Sequence, residues 1–305
     1  MVDILLATYN GERYLKEMLD SLLGQTYHEF HIYARDDRST DGTPAILDGF
    51  CRAYPDKITV LRDGRRKGSA RDNFFSLLSN ARSEYIMFAD QDDIWMPDKV
   101  ESTLSVLREA ERKQNGVPLL AHSDLTVVDE EDRILHSSMF ALQKLDPERQ
   151  RLNQLLSQNN ITGCTVMINR ALADIIRPNE GALMHDWWIG LVAAAFGGIL
   201  IAPNRIHYRQ HQTNEVGAKD VKSVSYVKGK LSDTGQIKKS IQKTYRQAAA
   251  FLDAYDDMLN DEQKEMICAF AGLDRYGIWK RMRILSKYKL YKSGLYRKIG
   301  QIIYG

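Results

Sequence analysis

Short apolar segments alternate with amphipathic segments over the first 125 residues, and this alternation constrains the fold more than any other feature of the sequence. The apolar segments predict strands at Ile4 to Ala7, Phe30 to Ala34, Ile58 to Leu61, Tyr85 to Ala89 and Leu119 to His122. The segments between them predict helices at Tyr14 to Leu23, Pro44 to Tyr54, Phe74 to Ala81 and Pro97 to Lys113. Repeated βα units of this kind predict an α/β fold, with a mainly parallel sheet flanked by helices. Ligands of such sheets bind beyond the carboxyl ends of the strands.

The rest of the chain is less regular, and its composition changes near Gly217. Before that point we expect a helix near Pro147 to Ser157, an Asn-rich turn at Gln158 to Gly163, a strand at Thr165 to Ile168, a helix from Asp186 to Phe196, and strands near Ile199 and Ile206. Beyond it the strand signals stop, so we predict an α/β domain over residues 1–217 and a helical region over 218–305. In that region apolar residues three or four positions apart predict a helix with a narrow apolar seam close to a coiled-coil period, which leaves open a homo-oligomer through the C-terminal helices. They are Ile237, Ile241, Tyr245, Ala248, Leu252, Tyr255 and Leu259.

Composition excludes several classes of protein. With 305 residues, 44% of them hydrophobic, the chain is neither disordered nor fibrous. Its net charge of +2 gives no reason to expect nucleic acid as a partner. Three widely separated cysteines argue against a disulfide framework and against a structural zinc site. Because we find neither a signal-like start nor an apolar stretch of membrane-spanning length, we expect a cytoplasmic protein that touches a membrane from one side only.

Three carboxylates, Asp90, Asp92 and Asp93, directly follow the strand predicted at Tyr85 to Ala89. While the chain stays extended, side chains at i and i+2 face the same way, so Asp90 and Asp92 can point into one crevice. Two carboxylates at such a short distance repel each other unless a cation lies between them. Carboxylate oxygens are suitable ligands for Mg²⁺ or Mn²⁺. The alternative is an acidic turn that caps the helix beginning near Pro97.

Two further polar loops follow predicted strands. Asp36 and Asp37 come after the second strand and can accept hydrogen bonds from a base or a ribose, whereas Asp41 and Thr43 suit a turn and a helix cap. Thr8, Tyr9 and Asn10 follow the first strand, where they form either a simple loop or a backbone platform for a nucleotide.

The sequence lacks GxGxxG after the first strand and lacks GxxxxGK[ST] throughout, which argues against a dinucleotide oxidoreductase and a P-loop NTPase. We therefore expect a metal at Asp90 to Asp93, aided by Arg71, Arg209 or His211, to neutralise phosphate charge.

A candidate general base lies in the run His185-Asp186-Trp187-Trp188, where one carboxylate sits beside two indoles at a predicted helix start. A partly desolvated carboxylate has the raised pKa that a general base needs. The alternative is an N-cap aspartate followed by buried tryptophans. His211 lies in a polar loop just past the last predicted strand, where it is either a ligand or simply polar.

Taken together and in this order, these motifs resemble the inverting nucleotide-sugar glycosyltransferases of family 2, which have the GT-A fold. The matching segments are ATYNG (7–11), RDDRSTDGT (35–43), KGSARDNF (67–74), FADQDDIW (88–95), NNITGCTVMINR (159–170), HDWW (185–188) and YRQH (208–211). The resemblance spans residues 2 to about 217. DQDDIW followed by HDWW is most similar to the bacterial rhamnosyltransferase branch.

The resemblance implies a role for each matching residue. Asp36 and Asp37 would hold the base and ribose end of the donor, and Arg71 would lie near the nucleotide. Asp90 and Asp92 match the family's DXD element. Asp92 would be the metal ligand, Asp90 would contact the ribose, and Asp93 would support them. Asp186 would be the catalytic base, His211 would lie close to the metal or the diphosphate, and the turn from Asn160 to Gly163 would border the sugar. His185, Trp187 and Trp188 would face the acceptor, with one tryptophan beneath it and the other in the core.

We therefore expect a metal-dependent inverting glycosyltransferase that uses Mg²⁺ or Mn²⁺. The expected donor is dTDP-rhamnose, with UDP-sugars next, and the expected acceptor is a saccharide or a lipid-linked saccharide of the bacterial cell surface. The family's processive members carry a QxxRW element, which is missing here, so transfer of one or few sugars is implied. The alternatives are a nucleotidyltransferase that makes activated sugars and a catalytically silent scaffold of a polysaccharide assembly complex.

The last 31 residues carry nine Lys or Arg and no Asp or Glu. Apolar and aromatic residues recur among these cations at helical spacing, which is typical of a helix lying in a membrane interface. We expect this tail to bind the anionic inner face of the cell membrane. The alternative is a basic helix that packs on the catalytic domain or on another subunit.

Overall fold

A seven-stranded sheet lies at the centre of the structure, a computed structural model that describes residues 1–114, 116–211 and 234–305. In spatial order its strands are β10 (Gly198–Ile201), β6 (Leu119–His122), β9 (Met167–Asn169), β4 (Tyr85–Asp90), β1 (Val2–Thr8), β2 (Phe30–Asp36) and β3 (Ile58–Val60). Only β9 runs antiparallel to its neighbours. The mainly parallel α/β sheet expected from the sequence is confirmed. The domain boundary expected near residue 217 lies outside the described residues.

The central strand β1 is buried along its whole length and divides two apolar cores. Successive side chains of a strand point to opposite faces, so Ile4 and Leu6 enter one core while Leu5 enters the other. Thr8 lies opposite Asp36 on β2, and Ala7 lies opposite Asp90 on β4. The register therefore brings the polar loops after β1, β2 and β4 to one edge of the sheet.

Eight helices accompany the sheet in the described part before residue 212: α1 (Leu15–Leu23), α2 (Thr43–Ala53), α3 (Ala70–Leu78), α4 (Lys99–Lys113), α5 (Met139–Gln143), α6 (Leu152–Ser157), α7 (Arg170–Ala173) and α8 (His185–Phe196). Two predicted helix starts are wrong. Helix α3 begins earlier than Phe74 because the Ser69 hydroxyl accepts the Asp72 N–H at 3.2 Å, which caps the helix. Helix α6 begins at Leu152 rather than near Pro147.

A second sheet has four strands in the order β5 (Ile94–Trp95), β11 (Ile206–Arg209), β7 (Thr126–Val128) and β8 (Ile134–His136). Of these only β11 was expected, near Ile206, because the other three have two or three residues, too few to show the period-2 alternation that identifies a strand. Pairing of Ile206 with Trp95 brings the end of β11 next to the acidic segment after β4.

Residues 234–305, the described part of the C-terminal region, contain four α-helices: α9 (Thr234–Ala254), α10 (Asp261–Ala271), α11 (Ile278–Lys287) and α12 (Leu295–Tyr304). The apolar seam of α9 packs within the chain, where Ile241, Tyr245 and Ala248 are buried in the same core as Leu5 of β1. The seam is thus covered within the chain, and a homo-oligomer through the C-terminal helices stays a prediction. Within the described residues, no helix combines the length and apolarity needed to cross a bilayer.

The basic tail forms two helices rather than one interfacial helix. Between them Lys289 and Gly294 have positive φ of 54° and 80°, a backbone conformation that a continuous helix does not contain. The connecting segment is held to the rest of the protein, since Asn153 Nδ2 donates to the Tyr288 carbonyl at 3.0 Å and the Ser293 N–H donates to Gln158 Oε1 at 2.8 Å.

Candidate active site

The loops after β1 and β2 are joined by a hydrogen-bond network. Thr8 Oγ1 donates to Asp36 Oδ1 at 3.0 Å, and the Ser39 N–H donates to Asp36 Oδ2 at 2.8 Å. Asn10, with a positive φ of 48°, accepts the Thr40 N–H through its side chain at 2.8 Å. Asp36 also lines a cavity of about 180 Å³ together with Leu47, Val60 and Arg62, among others. The network presents a partly exposed carboxylate beside an open cleft.

Asp37 has a different environment from its neighbour. It is buried, and its two carboxylate oxygens accept the N–H groups of Lys67 and Gly68 at 2.5 and 2.7 Å, while Arg35 Nη1 contacts Oδ1 at 3.2 Å. Asp37 therefore fixes the loop before α3, and the predicted direct contact with a donor stays a prediction.

Gln91, which sequence reasoning missed, fixes Tyr9. The Tyr9 N–H donates to Gln91 Oε1 at 2.8 Å, and Gln91 Nε2 donates back to the Tyr9 carbonyl at 2.9 Å. A Cβ at Gly11 would lie 2.2 Å from Gln91 Oε1, so only glycine leaves room for this clamp. The loop after β1 is thus tied directly to the acidic segment after β4.

The acidic residues at the end of β4 and just after it belong to two neighbouring groups of side chains. In the first, the carboxylates of Asp90 and Asp93 and the thiol of Cys164 offer ligand atoms within 4.8 Å of one another. In the second, Asp92 Oδ2 and His211 Nε2 lie 2.8 Å apart. Burial and the neighbouring carboxylates raise the pKa of Asp93, and burial raises the pKa of the Cys164 thiol. The structure thus brings together the four candidate ligands from the sequence and adds Cys164.

The residues at this position fit a divalent cation. Among the described residues, Asp93 Oδ2 is buried without a hydrogen-bond partner, and a cation beside it would satisfy that oxygen. The carboxylate oxygens of this cluster are the ligands that suit Mg²⁺ and Mn²⁺. The Cys164 thiol, which hydrogen-bonds Asp93, remains protonated because its pKa is raised, so it acts as a donor to Asp93.

The end of β11 is held by helix α1 and the residue before it. Arg209 is buried, its Nη2 lies 2.7 Å from Glu17 Oε2, and its guanidinium carbon lies 4.7 Å from the ring centroid of Tyr14. The same Tyr14 ring stacks on the imidazole of His211, with centroids 4.9 Å apart. Tyr14 was not among the predicted site residues, because it lies some two hundred positions from Arg209 and His211 in the sequence.

Asp186 lies in the first turn of α8 and is buried. Met184 occupies the N-cap position, so the alternative of Asp186 as an N-cap is wrong. Its carboxylate accepts the Trp187 N–H at 2.5 Å and a hydrogen bond from the backbone of Gly163. Burial, the largest effect, raises the pKa of Asp186 to about 7. A carboxylate of this pKa can both hold and release a proton near neutral pH.

The turn at Gly163 and Cys164 links the two parts of the site. Gly163 hydrogen-bonds the Asp186 carboxylate, while the thiol of the next residue, Cys164, hydrogen-bonds Asp93. A Cβ at Gly163 would lie 2.7 Å from His185 Nε2 and 3.6 Å from Asp186 Cβ. The raised-pKa carboxylate and the acidic cluster therefore lie on either side of one two-residue turn.

Two of the three predicted acceptor-side residues are core residues instead. His185 lies between Phe74 and Phe88, with ring centroids 4.1 and 5.5 Å away, and burial lowers its pKa to about 3. Trp188 has no exposed surface and packs edge-on against Phe251. Their assignment to the acceptor side is wrong because neither reaches the surface. Trp187 is half-buried, with its Nε1 donating to the Leu155 carbonyl at 2.7 Å, which leaves one tryptophan for the acceptor side.

Arg71 is also placed differently from the prediction. Its Nη1 donates to the carbonyls of Glu180 and Ala182 at 2.8 and 2.7 Å, and its Nε and Nη2 contact Asp72. The guanidinium thus holds the segment that leads into α8 rather than a nucleotide phosphate.

Known proteins are similar to this chain in sequence and in fold. Glycosyl transferase family 2 matches residues 3–176. A dTDP-rhamnosyl transferase, RfbG, of Shigella flexneri is 28% identical over 226 residues, which cover 70% of this chain and 74% of that protein.

Two solved structures share the fold. S. aureus TarS 1–349 in complex with UDP-GlcNAc has a TM-score of 0.55 at 19% identity, covering 99% of this chain and 88% of that one. The mannosyltransferase PcManGT of Pyrobaculum calidifontis, in complex with GDP-Man and Mn²⁺, has a TM-score of 0.53 at 17% identity, covering 96% and 76% of the two chains. With the family match across more than half of its length, the chain belongs to glycosyl transferase family 2 and is a glycosyltransferase of GT-A fold.

Proposed function

We propose that this glycosyltransferase moves L-rhamnose from dTDP-rhamnose to a saccharide or lipid-linked acceptor of a bacterial cell-surface polysaccharide, with inversion and with a divalent metal. The observation that carries the proposal is the turn at Gly163 and Cys164, which joins the buried Asp186 to the acidic cluster of Asp90 and Asp93. Inverting transfer needs these two groups close together, one for the acceptor and one for the leaving diphosphate.

The donor end of the site contains the groups that a nucleoside diphosphate requires. Asp36 presents a carboxylate beside the cavity at the ends of β2 and β3, where it can accept hydrogen bonds from a base or ribose. Asp92 and His211 would hold Mg²⁺ or Mn²⁺, supported by Asp90 and Asp93. When bound, such a cation neutralises the negative charge that builds on the leaving diphosphate.

Asp186 acts on the acceptor. Its carboxylate accepts the proton of an acceptor hydroxyl, that oxygen attacks the anomeric carbon, and the nucleoside diphosphate leaves from the opposite face, which inverts the anomeric configuration. Burial is what makes the base effective, because it raises the pKa of Asp186 to about 7. The half-buried Trp187 is next to Asp186 and offers a ring face to a sugar.

Support for rhamnose as the donor sugar comes from the relative named as a dTDP-rhamnosyl transferase, while UDP-sugars come next because TarS was solved with UDP-GlcNAc. A thermal-shift series with dTDP-rhamnose, UDP-GlcNAc and GDP-mannose, each with and without Mn²⁺, tests the choice. We expect the largest Mn²⁺-dependent rise in melting temperature with dTDP-rhamnose, because a ligand that binds only the folded state stabilises it. A larger rise with another donor would contradict the assignment, and transfer to a saccharide acceptor then tests the reaction itself.

We also propose that the enzyme works at the cytoplasmic face of the cell membrane. The support is the tail from Arg275 to Gly305, with nine cations and no carboxylate side chain. A lipid-linked acceptor would be presented at that face.

A further inference from the structure

Exposed apolar side chains are concentrated in the C-terminal tail. Of the thirteen large apolar side chains that are exposed in the described part of the chain, six lie between residues 278 and 303. These six are Ile278, Trp279, Leu295, Tyr296, Ile299 and Ile303. Trp279 is 81% exposed and Tyr296 is 74% exposed. Leaving such large apolar surfaces in water is energetically unfavourable, so a cluster of them indicates a contact surface.

Helix α12 carries four of these residues on one side. Leu295, Ile299 and Ile303 are four positions apart, and with Tyr296 they occupy an arc of about 100° around the helix. We call these four residues the α12 apolar face. All four side chains remain exposed, from 44% for Ile299 to 74% for Tyr296, because the helix is held mainly from its opposite side.

The opposite side of α12 is fixed by buried polar contacts. Gln301 is buried and donates through Nε2 to the Leu290 carbonyl at 2.9 Å. Arg281 of α11, also buried, donates through Nη1 to the Ile302 carbonyl at 2.7 Å. The helix is thus anchored in one orientation, and the α12 apolar face points away from the core.

Charge determines which partner suits this face. Exposed cations lie on the same two helices, among them Lys280, Arg283 and Lys298, and residues 275–305 contain no acidic side chain. A second copy of the chain would bring like charges together, which is unfavourable. An anionic bilayer instead attracts the cations, while Trp and Tyr side chains are favoured at headgroup depth.

We propose that the α12 apolar face and Trp279 form a docking surface for an anionic lipid bilayer, with α12 lying parallel to the membrane plane. This specifies the surface behind the proposed membrane location and does not depend on the identity of the donor sugar. Apolar side chains enter the boundary between headgroups and acyl chains, and the basic side chains of α11 and α12 contact lipid phosphates.

Co-sedimentation with vesicles tests the surface. The full-length protein should pellet with vesicles of phosphatidylcholine and phosphatidylglycerol at low salt, and should stay in solution with phosphatidylcholine alone. Tyr296→Ser combined with Ile299→Ser should lower the bound fraction about tenfold, because two exposed apolar side chains are removed from the contact. Ile134→Ser combined with Leu135→Ser is the matched control, since these residues are exposed on β8, and it should bind as the wild type does.

The results separate three outcomes. Equal lipid binding by the Tyr296/Ile299 variant and the wild type overturns the proposal, as does wild-type protein that ignores anionic vesicles. A fall from dimer to monomer in the variant, with lipid binding unchanged, would assign the face to a second copy instead. Transfer to a soluble acceptor analogue should be the same in the variant and the wild type, so a failure of the proposed reaction would appear in that assay and not in sedimentation.

Discussion

The phenol ring of Tyr14 lies between two residues of the segment after β11, stacking on the imidazole of His211 at 4.9 Å and facing the guanidinium of Arg209 at 4.7 Å. His211 in turn contacts Asp92 at 2.8 Å. Tyr14 is therefore a positioning residue for one of the two groups that we propose as metal ligands. Groups that orient a metal ligand are often nearly as important for metal affinity as the ligand itself.

Replacing this ring tests the relationship. Tyr14→Leu should weaken Mn²⁺-dependent donor binding by about 10- to 100-fold, because His211 loses the surface that fixes its ring. Tyr14→Phe is the matched control: the Tyr14 hydroxyl is buried without a hydrogen-bond partner in the described part of the chain, so the ring alone should suffice. Calorimetry with donor and Mn²⁺ gives both affinities. Equal affinity in the Leu and Phe variants would show that Tyr14 serves stability only.

Asp92 should be required for the metal but not for the fold. Asp92→Asn replaces a carboxylate with an amide, which is a far poorer ligand for a hard cation, so most of the Mn²⁺ dependence of donor binding should be lost. Asp56→Asn, at an exposed position away from the site, should bind as the wild type does. If the Asp92 variant keeps both its affinity and its metal dependence, measured by the same calorimetry, the metal lies elsewhere.

Asp186 should be required for transfer but not for donor binding. Asp186→Asn should lower the transfer rate roughly 10²-fold or more, the scale expected for loss of a general base, while donor affinity stays close to that of the wild type. In the wild type the rate should rise as pH increases through about 7, where the carboxylate loses its proton. Full activity of the variant would refute the assignment.

The same residue should make stability depend on pH. The pKa of Asp186 is about 7 in the folded protein and near 4 in an unfolded chain, so between these values the folded state binds more protons. The contribution to stability is therefore complete below about pH 4 and is lost as pH rises through about 7. Asp186→Asn removes this dependence, and its melting temperature should exceed that of the wild type more at pH 8 than at pH 5. A constant difference across this range would indicate that the carboxyl group is not buried as described.

Gly163 should tolerate no side chain. Because a Cβ there would lie 2.7 Å from His185 Nε2, Gly163→Ala must push apart the turn and the first turn of α8, which also moves Asp186. We expect a loss of about 1–3 kcal/mol in unfolding free energy and a lower transfer rate. Gly277→Ala is the control, since nothing lies within 4 Å of a Cβ at that position and its φ is ordinary. Denaturant unfolding and transfer assays on both variants decide whether the close approach matters.

The sheet could be predicted because its strands leave a local signal. β1, β2 and β4 have six or seven residues and are mostly apolar, with polar residues at or directly after their carboxyl ends, which also indicated where the site lies. In the four-stranded sheet only β11 left such a signal, since the other three strands have two or three residues.

The errors within the site concern contacts between distant parts of the sequence. Local spacing placed His185, Asp186 and Trp188 together at a helix start, but it could not show that the Asp186 carboxylate bonds Gly163 while His185 packs between that turn and two phenylalanines and Trp188 enters the core. Nor could it show that Arg71 binds the Glu180 carbonyl more than a hundred residues away. Cys164 had no signal at all, because a lone cysteine is chemically uninformative until Asp93 is placed beside it.

The packing of α8 against the C-terminal helices has a geometric consequence for the proposed membrane contact. Asp186 lies in the first turn of α8, and Trp188, one half-turn further on, packs against Phe251 of α9, which shares its core with α11 and α12. Asp186 and the α12 apolar face are thus connected through one shared apolar core. On a bilayer bound through that face as proposed, the carboxylate of Asp186 and the lipid headgroups would be related to each other through that same core.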